Sequence, residues 1–214
     1  MNSNTKKGFI PVVVVLIVLV VVAIGAFGIV GGKLVSSKKA QDQEVKDQNA
    51  KQVEQAGSRL AAKGWKKFEP TGAGFRVMMP NANVEKKEQT QDIPGKKEKL
   101  NMVIYASVSS IKEAYLIEAV DYPKGMALGD TDVVLKQMSD GLVSGIPGSS
   151  VVSSQKGTFR GYTTGEYVIK GPNGAYFRAR LILVGKGRVY VLMEASMDKE
   201  SLGFADFAQS FEVL

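Results

Sequence analysis

The 214-residue chain contains no cysteine and no histidine. The first absence excludes a disulfide framework, a thiol nucleophile, an iron–sulfur cluster and a thiolate zinc site. The second removes the commonest general base, the commonest transition-metal ligand and the usual pH switch, so serine and cysteine triads are excluded with it. Aromatic residues are almost missing from the N-terminal third, where only Phe9 and Phe27 precede Trp65. Any core must therefore be built from Trp65 onward, and any chemistry must rest on carboxylates, hydroxyls, lysine or arginine.

An excess of one charge is also missing where it would matter most. The formal charge is +7, but residues 69–214 carry seventeen Lys or Arg against seventeen Asp or Glu. The excess belongs to Lys6 and Lys7 and to residues 33–68, which hold nine basic side chains against four acidic ones. Basicity that flanks an apolar run suits phosphate headgroups better than a nucleic-acid groove, so no nucleic-acid partner is expected.

That apolar run is the first positive signal. Residues 9–32 carry no charge, and Val12 to Val22 are apolar without a break. As a helix they reach about 36 Å, enough for a hydrocarbon layer of about 30 Å, so a transmembrane helix in contact with membrane lipid is expected after an eight-residue tail. Pro11 falls in the first turn, where its missing N–H has no partner to lose. A cleaved secretory signal is the competing reading, but the run exceeds the usual length of such segments. Lys6-Lys7-Gly8-Phe9 ahead of the run partly resembles a type IV prepilin leader. It departs from that family at Val13, where those proteins carry glutamate, which weighs against filament assembly.

Residues 33–64 are rich in Lys, Gln, Glu, Asp and Ala, with a thin apolar stripe at Val53, Ala56 and Leu60. They read as a charged, solvated helical tether. Orientation is contested within the sequence. Lys33, Lys38, Lys39, Lys46 and Lys51 after the span favour a cytoplasmic domain by the positive-inside count. The short tail with Lys6-Lys7 has the form of a signal-anchor and favours the opposite side.

From Trp65 the pattern changes to short β-rich runs broken by Gly, Pro and Asn. Strands are expected at 65–69, 74–79, 84–91, 97–108, 113–121, 151–157, 162–170, 175–184 and 188–195. Leu100, Met102, Ile104, Ala106 and Val108 alternate onto one face. A helix is expected over 131–146, capped by Asp130 or Thr131, with Val134, Leu135, Met138, Leu142 and Ile146 inward, and a second over 199–209 burying Leu202, Phe204 or Phe207. Pro172-Asn173-Gly174 and Gly185-Lys186-Gly187 are hairpin turns. The sum is an α+β domain on an antiparallel sheet.

Functional constellations are few. Asp130-Thr131-Asp132 lacks the glycine and closing glutamate of a calcium loop and reads as a helix cap. Gly72-Ala73-Gly74 and the 185–187 turn lack the rest of a phosphate-binding motif. Glu113, Glu118 and Asp121 fall near a strand end, but Glu118 and Asp121 are on opposite faces of that strand, which denies them an obvious acid/base pairing. Arg178 and Arg180 share one strand face beside Tyr176, an arrangement able to receive an anionic ligand or partner; pairing with Glu166 or Glu194 across strands is the structural alternative. No catalytic, cofactor or metal site is expected.

Trp65-Lys66-Lys67-Phe68, Gly74-Phe75-Arg76-Val77-Met78-Met79-Pro80, Gly141-Leu142-Val143-Ser144-Gly145, Gly161-Tyr162 with Gly165-Glu166-Tyr167, Arg178 to Gly185, Arg188-Val189-Tyr190 and Phe207 to Phe211 together resemble the PsbP-like domains of bacteria. The resemblance covers residues 65–214. It implies an α/β/α sandwich on a central antiparallel sheet, and an accessory role through docking, mostly outside the cytoplasm. The expectation is thus a single-pass, membrane-anchored, non-enzymatic binding module with an extracytoplasmic domain and a protein partner in the envelope. A pilin-like subunit and an enzyme working without His or Cys are the alternatives.

Overall fold

The computed structural model describes residues 41–80, 83–93, 96–123, 126, 128–185, 187–201 and 203–214. The expected span over 9–32, the prepilin-like leader, the first part of the tether, Leu202 and the tip residues Pro94, Gly95 and Lys186 lie outside them. Among the described residues, no helix is long and apolar enough to cross a membrane.

In chain order the elements are α1 (Gln41–Ala62), β1 (Lys66–Phe68), β2 (Phe75–Met79), β3 (Glu85–Asp92), β4 (Lys99–Ser110), β5 (Glu113–Asp121), α2 (Thr131–Gly145), β6 (Ser150–Phe159), β7 (Tyr162–Lys170), β8 (Tyr176–Val184), β9 (Arg188–Ser196), α3 (Gly203–Ser210) and β10 (Glu212–Val213). Seven strands form one sheet in the order β3-β4-β5-β9-β8-β7-β6, and β1-β2-β10 form a second, small one. Every pairing is antiparallel. This is a sheet-dominated α+β fold, as the alternating runs and their turns required.

The large sheet is buried on both faces, because even and odd positions of its central strands are both apolar. On one face Leu116, Val120, Val189, Val191 and Leu181 pack beneath Val134, Leu135, Met138 and Leu142 of α2. On the other, Tyr115, Ile117, Tyr190 and Leu192 meet Phe75 and Val77 of the small sheet, Phe207 of α3 and Leu60 of α1. β4 is therefore not the one-faced strand that its even positions imply, since Tyr105 is buried on the second face.

Local chemistry accounts for the ends of the elements. Asp130 caps α2, its carboxylate accepting from the backbone N–H groups of Asp132 and Val133 at 2.8 and 3.3 Å. The β6–β7 turn has Arg160 and Gly161 both at positive φ, 53° and 83°, the conformation that matches the twist of a two-residue hairpin. Arg160 tolerates it because its guanidinium is fixed from outside, donating to the backbone carbonyls of Gln209 and Phe211 at the C-terminal end of α3. α3 starts at Gly203 and not near residue 199, because residues 196–200 turn on themselves. The Ser196 hydroxyl accepts from Asp198 N–H, and the Asp198 carboxylate from Glu200 N–H.

The tether departs most from expectation. α1 is helical, but its C-terminal half is not a solvated stalk: Ala56 and Leu60 are fully buried. Arg59 pairs with Asp206 of α3 at 2.6 Å, and Gln209 donates to Gln52 at 2.5 Å. Three apolar positions make a thin stripe, but two of them fall on a small patch of α3 and Trp65, and that suffices. The packed core thus begins within α1, ahead of residue 65.

A fragment spanning residues 65–214 will accordingly be less stable than one spanning residues 41–214. Leu60→Ala in the longer fragment is expected to cost about 2–5 kcal/mol in urea unfolding, the usual range for emptying a buried leucine site. Equal midpoints for the two fragments would show that α1 contributes nothing.

Candidate functional site

The candidate site is a cleft of about 500 Å³ at one end of the large sheet. Leu60 and Lys63 from the end of α1, Trp65, Ser109, Glu113 and Tyr115 of the β4–β5 hairpin, and Asp198, Glu200, Ser201 and Gly203 at the approach to α3 enclose it. Ile111, at the tip of that hairpin, is 81% exposed, and Met197 is also exposed nearby, its N–H donating to the Lys112 carbonyl.

Beneath the cleft, and joined to its lining through Tyr115 and Ser201, lies a buried polar network built by strand register. β9 places Glu194 opposite Arg178 on β8 and Tyr115 on β5. Glu194 is wholly buried, yet both of its oxygens are engaged. Oε2 accepts from Arg178 Nη1 at 2.9 Å, and Oε1 accepts from the Tyr115 hydroxyl at 2.9 Å and from Ser201 Oγ at 2.6 Å. Arg178 also donates to the Lys199 carbonyl, which ties the network to the loop before α3. Burial, with the Glu194 charge second, pushes the Tyr115 phenol far above its ordinary value, so it remains a donor. Gly203 is required here: a Cβ on it would lie 2.1 Å from the Tyr115 hydroxyl and 3.2 Å from Glu194 Oε1.

The three residues singled out in the sequence are distributed unequally. Arg178 and Arg180 do share a face of β8 with Tyr176, but only Arg178 joins the network beneath the cleft. Arg180 is paired with Glu166, directly opposite on β7, at 2.8 Å. Its guanidinium lies over the Phe159 ring at 4.6 Å, with that of Arg160 4.5 Å from the same ring. Tyr176 is half-buried at the strand end, opposite Ser196 and Lys170. Both arginines are thus held by the in-register glutamates, and an incoming anion would have to displace a carboxylate.

Two features were not legible in the sequence, the contact of Ser201 and the complete burial of Glu118. Ser201 has no motif around it and reaches Glu194 only through the turn at 196–200. Glu118 lies on the opposite face of the sheet from Glu194, fully buried, and neither of its oxygens meets a hydrogen-bond donor. Burial alone raises its carboxyl to about 8. Asp121, as its opposite strand face requires, instead makes a two-pronged pair with Arg188 at 2.5 and 2.8 Å. Among the described residues, no group of three or more carboxylates is arranged to hold a metal ion.

The network sets the cost of disturbing the cleft. Glu194→Leu or Arg178→Met alone leaves a buried charge without its partner and should destabilise the protein by about 3–5 kcal/mol in denaturant unfolding. The double change Arg178→Met with Glu194→Leu should be far milder than either, because no charge is stranded. Additive losses in that cycle would mean the pair is not coupled.

Comparison with known proteins finds no matching family model and no matching curated protein. Three solved structures are similar in part. The solution structure of cyanobacterial PsbP from Synechocystis is 17% identical, covers 70% of this chain and 92% of its own, and has a TM-score of 0.45. A Pseudomonas aeruginosa protein of unknown function is 13% identical, with 62% and 82% covered and a TM-score of 0.31. A Bacteroides thetaiotaomicron protein is 16% identical, with 70% and 48% covered and a TM-score of 0.32. At these values none of them assigns the chain a family.

Proposed function

We propose that this chain is a membrane-anchored, non-enzymatic accessory module that presents a rigid α+β domain to a protein partner outside the cytoplasm. The observation that carries the reading is the docking of α1. A 22-residue helix at 1.5 Å per residue spans about 33 Å, and its last turns are locked to the domain through Leu60 and the Arg59–Asp206 pair. A tether of that kind transmits orientation, where a solvated stalk would only limit distance.

The end cleft lies at the C-terminal end of α1, away from the end that leads toward the apolar run of residues 9–32. In this reading the run binds membrane lipid, and the cleft with Ile111 at its rim faces outward to a protein of the envelope. The near-neutral charge of residues 69–214 argues against nucleic acid as that partner. The pattern of residues quoted above, together with helices on both faces of an antiparallel sheet, supports reading residues 65–214 as PsbP-like, with the α/β/α sandwich that the family implies.

Two measurements test the proposal in intact cells. Protease added to spheroplasts should remove the domain without lysis; protection until the membrane is permeabilised would reject the orientation. A photo-crosslinking residue at Ile111 should give a discrete adduct, whereas one at Lys87 on the β3 edge should not. A flexible Gly/Ser linker inserted ahead of Gln41 should weaken the Ile111 adduct while leaving the fold intact. Adducts of equal yield from both positions, unaffected by the linker, would sink the docking role.

A further inference from the structure

Glu118 stands in the middle of β5, opposite Ile104 on β4 and Val191 on β9, on the face of the large sheet that α2 covers. Its neighbours on that face, Leu116, Val120, Met102 and Met193, offer no hydrogen bond and no charge. The apolar cluster on that face takes in Val134, Leu135, Met138 and Leu142 of α2, and Met126 and Leu128 of the segment before it pack against the same cluster. The charged residues of α2 are turned to the surface and engaged there, Lys136 with Asp140 and Asp132 with Lys156. Tyr167, beneath the helix, donates its hydroxyl to the Leu135 carbonyl. Tyr122, four residues along the strand on the same face, feels the charge of Glu118, but it is a phenol that burial keeps neutral. Among the described residues, no cation and no hydrogen-bond donor reaches Glu118.

A carboxylate enclosed in that way, with neither a counter-charge nor a donor, is far more costly than the neutral acid, whereas α2 is held down mainly by apolar contacts. We propose that protonation of Glu118 governs the seating of α2: the neutral acid lets the helix close over the sheet, and the carboxylate drives it off, uncovering an apolar face. The direction follows from linkage. A carboxyl raised from its ordinary value of 4.5 to about 8 binds more protons in the seated form. Seating is therefore fully favoured below the ordinary value and is lost as pH rises through about 8. The inference stands apart from the anchoring role, since it concerns the sheet face opposite the cleft.

The test is hydrogen exchange, read by mass spectrometry and corrected for intrinsic rate, on the full-length chain in detergent micelles at about pH 6 and about pH 9. Residues 131–145 should lose about tenfold or more in protection relative to β8 at the higher pH. Glu118→Gln should abolish that loss. Unchanged protection of residues 131–145 in the wild-type chain, or an equal loss in Glu118→Gln, would overturn the proposal. If that variant does not fold, carbon NMR titration of the wild-type Glu118 carboxyl decides. A midpoint near 8 with concerted shifts of the Val134, Leu135 and Leu142 methyls supports the switch, and an ordinary glutamate midpoint removes it.

Discussion

Glu194 is the residue on which the candidate site depends. It is a fully buried carboxylate at the centre of a sheet, and it is tolerable only because three chain segments bring it donors: Arg178 from β8, Tyr115 from β5 and Ser201 from the approach to α3. Burying an ion costs several kcal/mol, and the attraction of one partner rarely offsets it without further hydrogen bonds to the remaining lone pairs. Those requirements fix geometry. Tyr115 can reach Glu194 only if β5 and β9 keep their register, and Ser201 only if the chain turns at residues 196–200. The absent side chain of Gly203 then lets the first turn of α3 lie directly on the Tyr115 hydroxyl. One carboxylate thereby couples the middle of the sheet to the loop that shapes the cleft.

Glu118 is the same residue type, equally buried, one strand away and on the other face, and it has none of this. The contrast separates two uses of a buried glutamate. With partners from three elements it specifies an arrangement; without them it imposes a cost that changes with protonation. A leucine at 118 would fit the surrounding apolar face of Val120, Leu116 and Val191 more cheaply. A carboxyl there is a local disagreement between residue type and environment of the sort that marks function more often than packing.

Much of the architecture was legible because it follows from period and punctuation. Alternation placed Arg178 and Arg180 on one face, and the two glutamates expected opposite them, Glu166 and Glu194, are their partners. The α2 helix was read nearly to its ends, since Asp130 and the apolar spacing mark it at one side and Pro147 at the other. What was not legible depends on contacts distant in sequence. The docking of α1 is settled by Ala56 and Leu60 meeting residues about 150 positions later, a signal too thin for periodicity to carry. The two-residue strand β10 exists only because β2 is there to pair it. Ser201 and Glu118 are single polar residues in unremarkable contexts, and only the register of β5 with β9 tells one apart from a surface group and the other from a solvated one.

The two edges of the large sheet show a further constraint on how such a domain can meet another protein. β3 at one edge carries five charges in eight residues, Glu85, Lys86, Lys87, Glu88 and Asp92, which discourages pairing with another strand. β6 at the other edge has only Lys156, and that amine is drawn onto Asp132 at the start of α2. Its protection comes instead from an irregularity between Val151 and Ser153, where the ladder with β7 slips by one residue and the edge loses the regular spacing that a neighbouring strand would have to match. One edge is guarded by charge and the other, where Val151 and Val152 are exposed, by a bulge, while the central strands are covered by helices or by the small sheet; the ends of the sheet are the remaining place where apolar side chains stand free. The β4–β5 hairpin, with Ile111 at its tip beside the cleft that Glu194 underlies, is such an end.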